Sequence, residues 1–242
     1  MGEIRDDPRL RDREYVFSDR HDAGRRLGEF LRGLSAIPRP VVLAIPAGGV
    51  PVGRELASAL HSPFSLAIVR KIRIPGTTES GFGAVAWDGE VLINEEFRAA
   101  LHLSAAEVKQ AVSDTRQNVR ERLARFMDNR PPHIPEGATM ILTDDGLASG
   151  FTMLAAIRSI RKQHPGRIIV AVPTGSLSAV RRVAEEADLV ACLNIRSGRT
   201  FAVADAYMQW YDLGDSEVTR EIRGETPVNG AIPHPEKKQG RP

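Results

Sequence analysis

The chain has 242 residues, 42% of them hydrophobic and 26% charged, which is enough apolar material for one large domain with a sizeable core. Its 33 basic and 31 acidic residues leave a formal net charge of +2, too even to argue for nucleic-acid binding. The single cysteine, Cys192, excludes an intrachain disulfide, and no stretch reaches the ~18 apolar residues of a membrane span.

The opening "MGEIRDDPRLRDRE" is charged and lacks an apolar centre, so it does not read as a secretory signal. With the lone cysteine, this predicts a cytoplasmic protein with no membrane partner. Residues 1–14 are set apart as a charged N-terminal segment, and the folded domain is expected over 15–222.

Ser18 is placed to cap a helix whose face is Ala23, Leu27, Phe30, Leu31 and Leu34. "RPVVLAIP" (39–46) predicts a buried strand, and "GGVPVGRELASAL" (48–60) a turn and a helix. "FSLAIVRK" (64–71) predicts a second strand, and "IRIPGTTESG" (72–81) a loop. "FGAVAW" and "EVLI" flank Asp88–Gly89 as a hairpin. A polar helical insertion is expected over about 94–130, with a capping box in "SAAE" at 104–107.

From 138 onward the pattern is β-α-β-α-β: strands at 138–145, 166–173 and 188–194, helices at 151–163 and 176–187. The strands are continuously apolar, which points to a mainly parallel sheet covered on both faces, a doubly wound α/β fold. Cys192 falls inside the last strand and reads as a buried thiol. The six histidines are scattered and no pair has metal-ligand spacing. The proline-rich end, 225–242, is expected to be disordered.

In an open parallel sheet ligands bind at the carboxyl ends of strands. "ILTDDGLASGFT" (141–152) occupies such an end: an apolar strand, Asp144 and Asp145, a loop of small residues, then a helix start. Unpaired N–H groups and partial positive charge at a helix N-terminus suit a phosphate. The alternative is a plain turn in which Ser149 caps the helix. No Lys follows Gly150, so this is not a Walker loop, and the dinucleotide fingerprint is absent too.

The same stretch resembles the 5-phosphoribosyl-1-pyrophosphate (PRPP) motif of type I phosphoribosyltransferases, with Ser149 where threonine is usual. "LAIPAGGVPVG" (43–53) resembles that family's pyrophosphate loop, which often holds a non-proline cis peptide, here matched to Pro46–Ala47. The similarity runs over roughly 15–220 and looks closest to a prokaryotic group of predicted phosphoribosyltransferases with a helical insertion.

The resemblance implies the following roles. Asp144 and Asp145 orient the ribose and hold Mg²⁺ indirectly, while Ala148, Ser149, Gly150, Phe151 and Thr152 take the 5′-phosphate. Ala47, Gly48 and Gly49, with Arg70 and Lys71 at the strand end, receive pyrophosphate. The loop 72–85 would close over the site, with no role assigned to Glu79, and a hood at about 197–218 would bind the acceptor through Phe201. For Trp210 and Tyr211 a small packing core is the favoured reading. The expected protein is a homodimeric phosphoribosyltransferase acting on PRPP and a small-molecule acceptor, with no general base evident.

Two other readings stay open. The fold also serves regulators that bind PRPP or a nucleotide without turnover, and Ala47 and Ala148, where relatives carry charge, motivate that alternative. An unrelated α/β phosphate-binding enzyme is the third. Because two adjacent acids repel each other, Asp144→Asn with Asp145→Asn is expected to weaken PRPP binding and to spare the fold.

Overall fold

The computed structural model describes residues 1–34, 36–74, 81–198 and 200–224. Six strands form one sheet: β1 (Glu3–Arg5), β2 (Pro40–Ala44), β3 (Phe64–Leu66), β7 (Thr139–Thr143), β8 (Arg167–Ser176) and β9 (Leu189–Arg196). Their order is β1-β9-β8-β7-β2-β3, and every neighbouring pair is parallel. A second sheet of β4 (Val69–Arg73), β5 (Gly81–Ala86) and β6 (Val91–Ile93) is antiparallel.

Alternate side chains of each strand point to opposite faces, and both faces are covered. Val42, Ile141, Ile169 and Ala171 pack with α1 (Arg20–Leu34) and α2 (Gly49–Leu60) through Leu27, Leu31 and Leu56. Leu43, Met140, Leu142 and Val170 pack on the other side with α5 (Phe151–Arg161) and α6 (Leu177–Ala184). The doubly wound α/β architecture is thus present as the apolar runs implied.

The insertion is two helices, α3 (Glu95–Ala100) and α4 (Ala105–Met127). The capping box forms: the Glu107 N–H donates to Ser104 Oγ and Glu107 Oε2 accepts from the Ser104 N–H. Val119 is the one apolar side chain of α4 that reaches the core fully, while Val108, Val112, Leu123 and Phe126 pack partly against it. The Asp88–Gly89 hairpin turn forms, with Gly89 at φ 87°.

Four expectations are corrected. Asp19, not Ser18, caps α1, accepting the Asp22 N–H at 2.8 Å, while Ser18 donates its own N–H to Asp22 at 3.0 Å. The two residues are adjacent and both favour the cap, so composition does not separate them. The apolar run 64–71 is divided between two sheets as β3 and β4, and β4 extends to Arg73, inside the expected loop. The sheet also recruits Glu3–Arg5 from the charged segment outside 15–222, pairing β1 with β9 through backbone groups that need no apolar pattern. Finally, β8–β9 pairing continues past Pro173 to Ser176 and Arg196. The expected disordered tail, 225–242, and Glu79 lie outside the described residues.

The last helix, α7 (Asp215–Arg223), is tied to α1 and α2 by His21. His21 Nδ1 lies 3.0 Å from Glu55 and Nε2 3.1 Å from Glu221. The hydrogen bond to Glu221 raises the imidazole pKa above its usual 6.5, against a partial loss of solvation. A raised folded pKa means stabilisation that is complete below about pH 6.5 and is lost as pH rises through the folded value. Wild type should therefore exceed His21→Gln in unfolding midpoint at acidic pH, the gap narrowing on the alkaline side. A gap that stays constant from about pH 6 to pH 9 would rule out this linkage.

Candidate functional site

β7 lies between β2 and β8, so the loops that follow these neighbours flank its carboxyl end. Asp144 and Asp145 stand there, half-buried, with Asp144 Oδ1 accepting the Asp145 N–H at 2.8 Å. From the β2 side the glycine loop closes on them. The Pro46–Ala47 peptide is cis. A Cβ on Gly48 would collide with the Asp145 carboxylate, and one on Gly49 would lie 2.8 Å from Asp144 Cα. Gly48 has φ −59° and ψ −35°, values any residue adopts, so the close approach alone demands glycine.

From the β8 side the small-residue loop is tied from behind. Leu147 pairs with Gly175, donating to the Thr174 carbonyl and accepting from the Ser176 N–H, both at 2.9 Å. The Ser176 hydroxyl donates to the Ala148 carbonyl at 2.9 Å, and Arg182 Nη1 donates to the Ser149 carbonyl at 2.6 Å. Three consecutive carbonyls are thereby occupied. Gly150 follows with φ 82°, a left-handed conformation that favours glycine, and α5 begins at Phe151 with no side-chain cap. This overturns the alternative in which Ser149 caps the helix. The Leu154 N–H makes a backward bond to the Gly150 carbonyl at 2.9 Å, which leaves the N–H groups of the first turn for a ligand. Ala148 and Ser149 are exposed, and Phe151 and Thr152 are half-buried.

Beneath the acids lies a buried cation. Arg20, the first residue of α1, is 6% exposed; its Nε donates to Asp145 Oδ2 at 3.0 Å and its Nη1 to the Tyr211 carbonyl at 2.9 Å. Its guanidinium lies 3.9 Å from the Trp210 ring centre, a cation–π contact. Burial raises the Asp144 pKa well above the usual carboxylate value, and the charge of Asp145 adds to it. Burial also raises Asp145, but Arg20 opposes that shift. The pair is therefore asymmetric, with Asp145 held by Arg20 while Asp144 has no cation at hydrogen-bond distance among the described residues.

Tyr207 fixes the same spot from below. Its hydroxyl donates to the Asp145 carbonyl at 2.6 Å, and its ring, 1% exposed, packs against Phe17 with centroids 5.7 Å apart. Tyr207→Phe leaves that packing and removes one hydrogen bond. It should cost about 1 kcal/mol in urea unfolding. An unchanged midpoint would show that the bond contributes nothing.

The donor set suits a hard divalent cation only in part. Two carboxylates converge, one already paired with Arg20, and among the described residues no group of three or more His, Cys, Asp and Glu side chains could hold a metal. Such a site fits Mg²⁺ that takes most of its oxygens from ligand and water.

A family model for the phosphoribosyl transferase domain matches residues 21–207, which contain the glycine loop, the acidic pair and the phosphate-type loop. The chain belongs to this family. It is 36% identical over 203 residues to each of two provisionally named phosphoribosyl transferases of Mycobacterium tuberculosis, Rv0571c of strain H37Rv and MT0597 of strain CDC 1551 / Oshkosh. The match covers 84% of the chain but 45% of those relatives, so the chain spans less than half their length. The solved structure of TT1426 from Thermus thermophilus is 32% identical, with a TM-score of 0.68, over 87% of this chain and 99% of that one.

Within the phosphoribosyl transferase domain, the remaining expected site residues have the following surroundings. Arg70 and Lys71 are on β4, in the antiparallel sheet, and line a cavity against α4 that includes neither the glycine loop nor the acidic pair. Phe201 is half-buried 5.5 Å from the Arg196 guanidinium, which pairs with Glu14 at 2.6 Å and Asp205 at 3.3 Å. Trp210, 36% exposed, packs against Tyr207 with ring centroids 5.3 Å apart, as the small packing core implied, while Tyr211 is 56% exposed. Cys192 is buried, and burial raises its thiol pKa, consistent with a packing role. No helix among the described residues is long and apolar enough to cross a membrane.

Sequence reasoning missed Arg20, Tyr207 and Arg182. A weak signal existed for Arg20: a cation at a helix N-terminus opposes the helix dipole, so it calls for a nearby anion. Its anion is 125 residues away. Arg182 lies 5.3 Å from the Phe151 ring and joins α6 to the loop before α5, a tertiary contact with no local pattern.

Proposed function

We propose that the chain transfers the 5-phosphoribosyl group of PRPP to a nucleobase-like or other small nucleophile with release of pyrophosphate. The observation that carries this reading is the convergence of the glycine loop and the uncapped start of α5 on Asp144 and Asp145. Backbone amides on both sides and two carboxylates between them match a ligand with phosphates at its ends and a sugar in its middle.

In this reading the N–H groups of 148–152 hold the 5′-phosphate. Asp144 and Asp145 accept ribose hydroxyls, with Arg20 keeping Asp145 aligned. Ala47, Gly48 and Gly49 receive the leaving pyrophosphate, helped by Arg70 and Lys71. The nucleophile attacks C1 as the C1–oxygen bond breaks, and pyrophosphate leaves with the bonding pair. Positive charge builds on the ring, as in other glycosyl transfers. Orientation and stabilisation of the leaving group supply most of the catalysis. Mg²⁺, held by ligand oxygens with help from Asp144, would neutralise pyrophosphate charge. Phe201 is assigned to the acceptor side, and the working assembly is a homodimer.

Pyrophosphate release from Mg·PRPP across a panel of nucleobases tests this directly. Release with at least one base supports the transferase. PRPP binding by calorimetry with no release from any base would favour the non-catalytic regulator, and binding of NAD with indifference to PRPP would overturn both.

A further inference from the structure

A cavity of about 280 Å³ opens between the first turn of α1, the start of α2 and α7. Asp144, Asp145, the glycine loop and Phe201 are not among its lining residues, so it is separate from the places assigned to PRPP and to the acceptor. It is smaller than a drug-sized site and suits one small metabolite. Pro51, Leu213 and Tyr211 supply an apolar part. The rest is largely charged, and both signs keep unused hydrogen-bonding capacity.

On the cationic side, the buried Arg20 directs Nε to Asp145 and Nη1 to the Tyr211 carbonyl, which leaves Nη2 unbonded among the described residues. The half-buried Arg220 side chain has neither a hydrogen bond nor an ion pair among those residues. On the anionic side, Asp19 caps α1 through Oδ1 and Glu217 caps α7 through Oε2, so each keeps its second oxygen unbonded. Glu217 and Arg220 are three residues apart on α7, a spacing at which acid and base commonly pair, yet they form no ion pair with each other. His21 and Glu221, by contrast, satisfy each other at 3.1 Å. Open donors on two arginines beside open acceptors on two carboxylates favour a ligand that carries both charges. A simple anion would leave the carboxylates unanswered, and a simple cation would leave the guanidinium groups so.

We propose that this cavity binds a small zwitterion, an α-amino acid with an apolar side chain. Its carboxylate lies on Arg20 and Arg220, its ammonium on Asp19 and Glu217, and its side chain against Pro51, Leu213 and Tyr211. Occupancy is felt at the acid pair, because the ligand's carboxylate draws on the guanidinium that holds Asp145. Each ligand should therefore weaken the other's binding severalfold, the amino acid that of Mg·PRPP and Mg·PRPP that of the amino acid. The coupling rests on the placement of PRPP at Asp144 and Asp145; the site itself does not.

L-Phenylalanine and L-leucine are the probes, titrated by calorimetry at neutral pH into wild type, each beside the two analogues that lack its amino or its carboxylate group. At least one amino acid should bind, and removal of either charged group should weaken it about tenfold or more. Arg220→Gln and Glu217→Gln should each weaken it about tenfold. Glu217→Gln can still accept the Gly214 N–H, so the cap of α7 is kept. The control Arg32→Gln, exposed near the other end of α1, should stay within about twofold of wild type. Binding of neither amino acid, equal binding of the analogue without the amino group, or equal losses in Arg220→Gln and Arg32→Gln would overturn the site. Amino-acid binding that leaves Mg·PRPP affinity unchanged would overturn the coupling alone. Amino-acid binding by a protein that does not bind Mg·PRPP would overturn the PRPP placement and leave the site standing.

Discussion

Asp144→Asn is expected to raise the unfolding midpoint of the ligand-free protein at neutral pH and, in the same molecule, to weaken Mg·PRPP binding at least about tenfold. The two effects have one cause. Asp144 is desolvated beside a second carboxylate, and its pKa is raised well above the usual value. A folded pKa above the unfolded one means that ionisation costs stability. The cost is absent below about pH 3.9 and grows as pH rises through the folded value. Asparagine keeps the shape and removes the charge, so the gain should be present at pH 7 and should vanish in acid. A variant that binds Mg·PRPP as tightly as wild type would remove Asp144 from the site. Asp145→Asn should behave in the opposite way toward stability, because Arg20 is buried and would lose its counter-charge. In the double substitution the gain at position 144 is therefore expected to be offset by the loss of the Arg20 counter-charge, a cost that mutual repulsion alone does not include.

Gly48→Ala carries the second large effect. The backbone tolerates alanine there, with φ −59° and ψ −35°, so any loss comes from the added carbon. That carbon would meet the Asp145 carboxylate, which cannot swing away freely because Arg20 holds it at 3.0 Å. Overpacking of this kind costs about 1–3 kcal/mol in stability. Displacing Asp145 and widening the gap to the glycine loop should cost more in function, about 100-fold in PRPP affinity. Gly33→Ala is the matched control: it lies in α1 with nothing within 4 Å of the new carbon. That change should leave binding intact and add about 0.5–1 kcal/mol of stability through helix propensity. Equal binding losses in the two variants would show that the Gly48 contact has no special part.

The layering of the sheet was legible because buried parallel strands are continuous apolar runs, and "VVLA", "TMIL" and "LVACLN" are such runs. The acidic pair and the glycine loop were legible because each carries its chemistry within a few consecutive residues. What the sequence concealed depended on distance or on backbone alone. Glu3–Arg5 joins the sheet with one half-buried side chain, Ile4, too short a signal to rise above its charged surroundings. The run 66–69 is apolar throughout, and nothing in it marks where Ala67 leaves one sheet for the other. Arg20 is one arginine among many until the fold brings it to Asp145. Arg70 and Lys71 followed from strand-end logic, yet their strand belongs to the antiparallel sheet, and their neighbours come from an insertion whose polar face offers no hint of a partner.

The asymmetry of the pair also bears on the proposed mechanism. A carboxylate fixed by a buried guanidinium beside one without such a partner gives one rigid acceptor and one that can answer to ligand. Trp210 stacks on the same guanidinium, so Arg20 touches both Trp210 and Asp145.

A crystal structure of the chain with Mg·PRPP bound tests the proposed site most directly. The 5′-phosphate should lie against the backbone N–H groups of 149–152, the ribose hydroxyls on Asp144 and Asp145, and the diphosphate should reach toward Gly48 and Gly49. PRPP bound with its 5′-phosphate away from the start of α5, or with its ribose out of reach of both aspartates, would contradict that placement.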